Sequence, residues 1–295
     1  MTDIDVPYTV LACLYLHRMA TTAHLHHLVG IARQQAATRR LLRELAADEL
    51  VISVNLPGPG RTKLWLLTAA GRDLCQAMPE VRGREYPLVQ GTHLRRRAPH
   101  SLDVLRTHLA FLAEARQRGD EYGPLDWEPE VYHRLSDQRA DAVIADALMR
   151  YTINGPSGSR RQLRAFVEVD RATMSSERLA SKLMAYGRFL DYTPLPVGAA
   201  RRRQTTAVQV PVWQRSYPVY PRVLFVLTGA SRTVMERRVA DLQAMAVANP
   251  LAARLAQVVP LGAAILEDLQ EQGPSAPVWT PLAGDDLTRR GWSEL

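Results

Sequence analysis

Lysine is nearly missing from this chain: Lys63 and Lys182 are the only two among 37 basic residues. Arginine supplies the rest, in a composition rich in arginine and alanine that by itself points to no function. The scarcity makes each lysine informative. An ammonium is a compact point charge with rotatable donors, whereas a guanidinium is a broad planar fork. Cysteine is equally scarce. Cys13 and Cys75 lie in apolar, helical-looking stretches without a C-x-x-C spacing, which argues against a zinc site and leaves buried, reduced thiols. No apolar run approaches the roughly 18 residues of a membrane helix. The opening MTDIDVPYTV is acidic where a signal peptide is basic. The expectation is a cytoplasmic protein without a membrane partner.

What is present sets a different frame. With 295 residues and 46% hydrophobic content, the chain has material for about two domains, each with its own core, which excludes wholesale disorder. The net charge of +7 favours an anionic partner, nucleic acid first.

The first 78 residues read as three helices and a hairpin. Pro7 to Ala20 has apolar residues at helical spacing, Thr21-Thr22 can cap a short helix from Ala23 to Val29, and a third helix runs from about Ile31 to Ala47. VISVNLPGPGRTKLWLL then gives two β-rich runs around a Pro-Gly-Pro-Gly turn. This is the order of a winged helix-turn-helix, which lays its third helix in the major groove and touches backbone or minor groove with the hairpin tip. Gln34, Gln35, Thr38 and Arg39 face that role on the helix, with Gln and Arg suited to base edges. Arg33 and Arg43 are placed for phosphates, and Arg61 and Lys63 stand at the wing. The competing reading is a plain solvated helix face. His24, His26 and His27 have no further ligand cluster to make them a metal site.

A Pro-, Gly- and charge-mixed stretch at 79–99 reads as a linker, a second domain as 100–272, and a tail as 273–295. The order predicted for the second domain is αβββαβα with a final strand, an α/β sandwich. In F-V-E-V-D, Glu168 and Asp170 alternate onto one face of a strand. Asp141 lies on the preceding strand of the expected hairpin. Three converging carboxylates, Asp141, Glu168 and Asp170, are hard oxygen ligands suited to Mg²⁺ or Mn²⁺. Lys182, on the following helix, is the candidate cation beside a scissile phosphate. Glu168 and Asp170 pairing with Arg171, Arg164 or helix arginines in a charged sheet edge is the alternative. In 193–221, Trp213, Tyr217 and Tyr220 among Arg201, Arg202, Arg203 and Arg215 suit either base stacking or docking on their own domain.

The run D-A…F-V-E-V-D-R-x-T…K-L-x-x-Y, after a winged helix ending in L-T-x-A-G, resembles the replication-relaxation family of actinobacteria, their plasmids and other mobile elements. The resemblance spans about Tyr8 to Leu242. It implies a DNA-binding protein of plasmid or mobile-element replication or DNA relaxation, with double-stranded DNA as partner and a homodimer and replication proteins as further ones. The second domain also resembles the PD-(D/E)xK nuclease fold, core order αβββαβ, so the expected class is α+β. That likeness implies Asp141 and Glu168 as the two acidic positions, Asp170 in place of the usual lysine, and Lys182 as a lysine migrated to the helix. It implies a Mg²⁺- or Mn²⁺-dependent nicking endonuclease with Lys182, Glu168 and Asp170 catalytic. The rival is a transcriptional or copy-number regulator whose nuclease-like domain is inactive.

Overall fold

A computed structural model of the chain describes residues 5–30, 34–56, 62–81, 86, 91–136, 138, 141–173, 175–194 and 210–295. They divide into two compact units, Met1–Pro129 and Glu130–Leu295.

The first unit begins with α1 (Val6–His17), which Asp5 caps by accepting from the Tyr8 amide. After the two-residue strand β1 (Ala20–Thr21), the Thr21 hydroxyl caps α2 (Thr22–Val29), as its position predicts, and Gly30 closes that helix at φ 60°. Helix α3 (Gln35–Ala47) buries Thr38, Leu42 and Leu45. The hairpin β2 (Val51–Asn55) and β3 (Lys63–Leu67) pairs antiparallel, and β1 joins the far side of β3 through Ala20–Trp65 and Thr21–Leu64. The fold is a winged helix-turn-helix. Helix α4 (Ala69–Gln76) follows, capped by Thr68. The glycine of L-T-A-A-G has a steric cause: a Cβ on Gly71 would stand 2.0 Å from the Leu50 carbonyl oxygen.

The stretch 79–99 is not a structureless linker. Helix α5 (Gly91–Arg118) starts inside it and carries Pro99 within its length. Leu94 and Ala98 are buried in a cluster with Met19, Leu64 and Leu66, and Leu102 packs against it. That burial ties α5 to the hairpin, and the division between units falls at 129/130. The three arginines at 95–97 mask this apolar repeat at a spacing of four residues.

The second unit is built on a six-stranded sheet in the order β4-β5-β6-β7-β8-β9, where β4 is Trp127–Arg134, β5 Ala142–Asn154, β6 Arg160–Asp170, β7 Arg222–Leu227, β8 Leu261–Ile265 and β9 Thr280–Pro281. The β5–β6 hairpin is antiparallel, with register pairs from Ala147–Val167 to Asn154–Arg160; β6, β7 and β8 run parallel. Its helices are α6 (Ser176–Asp191), α7 (Arg232–Ala248), α8 (Pro250–Val258) and α9 (Leu266–Gln272). Phe166, Phe225, Leu183, Tyr186, Phe189, Leu242 and Leu255 form the core between sheet and helices. From α5 onward the order αβββαβ is that of the PD-(D/E)xK-like fold, and the whole is α+β.

Two outcomes differ from the sequence expectation. Helices α8 and α9 were unforeseen: Asn249 caps α8 and Pro250 opens it, and the expected last strand ends at Ile265, after which α9 begins. The segment 273–295 is a packed part of the unit: Trp279 and Trp292 are fully buried, and β9 extends the sheet.

Candidate functional site

In the first unit, α3, the start of α2 and the wing enclose an open groove of about 500 Å³. Gln35, Arg39 and Arg43 line it from the helix, Thr62, Lys63 and Trp65 from the wing, and Thr21, Thr22 and Ala23 from the α2 end. Arg39 donates to Gln35 Oε1 at 2.6 Å and Arg43 Nε to the Arg39 carbonyl at 3.3 Å, so the cations are aligned along one helix face. Lys63 sits 5.8 Å from the centroid of the Trp65 ring, whose N–H donates to the Thr22 hydroxyl. Gln34 is exposed at the α3 N-cap. Thr38 is not on this face: it is fully buried, its hydroxyl 2.9 Å from His26 Nδ1, because it lies on the side that carries Leu42 and Leu45. Arg33 and Arg61 lie outside the described residues. Thr62 and Trp65 complete the groove and were not foreseen. The alternation of β3 places Trp65 on the same side as Lys63, which was the available signal.

In the second unit, the expected carboxylate trio does not converge. Asp141 stands just before β5, not on it as expected, and pairs with Arg188 of α6, whose hydrogen bond holds its carboxyl below the ordinary aspartate range. Asp170 is buried and paired with Arg238 Nη1 of α7 at 2.8 Å. The same guanidinium donates to the Ala172 carbonyl, clamping a residue at φ 55° just beyond β6. The residue that meets Glu168 is Asp146. Lys182 contacts Glu168 Oε2 and lies 3.7 Å from Asp146 Oδ2. Tyr186, one turn further along α6, donates to Glu168 Oε1 at 2.6 Å. Of the two weighed readings for Asp170, pairing with a helix arginine is the one seen.

Asp146 sits where β5 departs from strict alternation. Ala145 and Leu148 belong to the same core cluster although they are three residues apart, so the strand shifts face by one residue between them. There the Val169 amide donates to Asp146 Oδ2 at 2.7 Å. A signal was available: Asp146 and Glu168 are equidistant from Ser157 in the hairpin turn, one step beyond the last register pair, Ala147–Val167.

Burial dominates the electrostatics. Glu168 is 1% exposed at its side chain, and burial pushes its carboxyl up to about 7, with Lys182 pulling the other way and Asp146 adding to the rise. Burial works against the Lys182 charge, but Glu168 and Asp146 outweigh it and raise the ammonium above the ordinary lysine value. Burial, then the charge on Glu168, raises the Tyr186 phenol well above its usual value.

This set does not fit a resident Mg²⁺ or Mn²⁺. Both oxygens of Glu168 accept from Lys182 and Tyr186, Asp146 Oδ2 accepts the Val169 amide, and Asp141 and Asp170 are drawn to arginines. Among the described residues no three His, Cys, Asp or Glu side chains are grouped to hold a metal ion. The aromatics of 210–221 dock on their own unit: Trp213 donates to the Leu190 carbonyl, Tyr220 to that of Tyr186, and the Tyr217 hydroxyl lies 2.9 Å from His133. Arg201, Arg202 and Arg203 lie outside the described residues, as does most of that loop. No described helix is long and apolar enough to cross a membrane.

Together these features define a winged helix-turn-helix protein with a nuclease-like α/β unit. The replication-relaxation family model matches residues 11–196, and the chain belongs to that family. No curated protein and no solved structure matches it.

Proposed function

We propose that this chain is a duplex-DNA-binding protein of plasmid or mobile-element replication or DNA relaxation, reading DNA through α3 and the wing. The observation that carries the reading is the groove in which Gln35, Arg39, Arg43 and Lys63 stand together, with no carboxylate among the described residues of its lining. Cations on an exposed helix face serve phosphates, and Gln and Arg side chains there suit base edges in the major groove. Arg39→Ala is expected to weaken binding and relax base preference, read by titrating labelled duplexes at several salt concentrations. Unchanged affinity and unchanged preference in that variant sink the assignment. Stoichiometry in the same titration reports whether a homodimer binds.

Metal-dependent nicking is the second reading, favoured by the meeting of Asp146, Glu168 and Lys182 on β5, β6 and α6. It requires Lys182 to leave Glu168 when DNA binds. Supercoiled plasmid incubated with the protein and Mg²⁺ or Mn²⁺ tests it; identical supercoiled bands for wild type and Glu168→Ala remove it. Without nicking, the second unit belongs to a regulator of replication or copy number.

A further inference from the structure

We propose that Lys182 is the built-in cation of the Asp146–Glu168 pair, holding the position between β5 and β6 that a divalent ion would otherwise take, so that the resting protein binds neither Mg²⁺ nor Mn²⁺ there. Three observations converge on this. The first is charge. Glu168 is sealed in the core at 1% side-chain exposure with Asp146 beside it at 16%, and two carboxylates so placed require a cation. The second is occupancy. Lys182 reaches both carboxylates from one side, Tyr186 takes the remaining oxygen of Glu168, and the Val169 amide takes Asp146 Oδ2. Mg²⁺ sheds its waters reluctantly and demands near-octahedral oxygen geometry, which acceptors already engaged by the protein's own donors do not offer.

The third is delivery. Leu179, Leu183, Tyr186 and Phe189 bury one side of α6 in the core, which fixes the helix that carries Lys182. A tethered ammonium competes at an effective concentration on the order of millimolar or above, the range in which a weak two-carboxylate site would capture free Mg²⁺. The chain's composition agrees. Arginine stands at nearly every other basic position, but a planar guanidinium is a poor fit to a point between two carboxylates, and lysine is retained here.

The inference stands on the second unit alone, so DNA binding by the first unit can fail or succeed without touching it. Having only two lysines makes it directly measurable. Wild-type protein carrying ¹³C,¹⁵N-lysine gives two side-chain signals, assigned by Lys63→Arg. The Lys182 ammonium is expected to show slow proton exchange, to ignore millimolar Mg²⁺, and to stay sharp when paramagnetic Mn²⁺ is added. A Lys182 signal as fast-exchanging as that of exposed Lys63, or one that shifts with Mg²⁺ or broadens with Mn²⁺, overturns the proposal. In the complementary arm, Lys182→Gln opens the site, and calorimetry with Mn²⁺ alone is expected to show affinity at least about tenfold above wild type. Adding Asp146→Asn abolishes the gain. Equal Mn²⁺ affinity in wild type and Lys182→Gln, or none in either, overturns it as well. Should Lys182→Gln fail to fold, the wild-type spectra decide.

Discussion

Glu168 shows what one buried carboxylate demands of its neighbours. Its two oxygens are shared between Lys182 and Tyr186, and neither partner is replaceable by solvent at that depth. Removing the phenol hydroxyl in Tyr186→Phe leaves one oxygen of a charged group unsatisfied, a loss of about 1.5–3 kcal/mol for a hydrogen bond to an ion. Urea denaturation should show that loss as a lower midpoint with an unchanged slope, and an unchanged midpoint would place the phenol outside the network. Asp141→Asn, by contrast, is expected to leave the midpoint where it is, since Asp141 faces Arg188 near the surface. At this scale the sequence displayed the right chemistry and misplaced both expected carboxylate partners of Glu168, since Asp141 pairs with Arg188 and Asp170 with Arg238. Glu168 and Lys182 were visible as an isolated lysine following an E-V-D strand. Asp146 was not, because Asp141 was taken as the acid of the preceding strand and the hairpin register was not carried from the turn to Ala147–Val167 and one step beyond. Thr38 shows the same limit, polar in type but turned inward by the helical spacing of Leu42 and Leu45.

Elements meet closely where side chains are smallest. Gly187 of α6 lies against α8, and a Cβ there would come within 2.7 Å of the Leu251 carbonyl oxygen. Backbone cannot yield as a flexible side chain does, so Gly187→Ala must push α6 off α8. Overpacking of this kind costs about 1–3 kcal/mol. Because α6 also carries Lys182 and Tyr186, the variant should both lower the thermal midpoint and speed proton exchange at the Lys182 ammonium; a lower midpoint with unaltered exchange would uncouple the helix packing from the carboxylate network. The wing makes an independent element-scale case. Lys63→Ala should weaken DNA binding evenly across sequences and reduce the slope of log affinity against log salt by about one, the signature of one lost phosphate contact. A changed base preference with an unchanged slope would move Lys63 from phosphate to base. Elements with strong periodicity were legible, including all three helices of the head and both hairpins. Helix α5 was read short because Arg95, Arg96, Arg97 and Pro99 obscured the Leu94–Ala98–Leu102 stripe that packs on the wing.

Over the whole molecule, the two units differ in what they bury. The second holds its ionisable groups in pairs, whereas the first buries histidines from separate helices: His17 of α1 and His108 of α5, with His24 of α2 partly covered. His17 and His108 lie with ring nitrogens 3.3 Å apart, and His108 stacks flat on Trp127 at 5.1 Å. Burial lowers His17 to about 3 and His24 to about 4, and takes His108 well below the ordinary imidazole value; repulsion adds to the fall, from His24 at His17, from Arg106 at His24 and from His17 at His108. These rings are therefore neutral in the fold and take up protons on unfolding below about pH 6.5. The unfolded chain binds more protons than the folded one between that value and the depressed ones. Stability is thus intact above about pH 6.5 and declines as the pH falls towards 4, by roughly 1.4 kcal/mol per pH unit for each fully buried ring. Calorimetry between pH 7.5 and 5 should show a transition moving to lower temperature, and His17→Gln should flatten its slope by about one proton. A midpoint constant over that range would mean that the histidines are hydrated or already charged in the fold, and the packing of α1 against α5 would have to be redrawn.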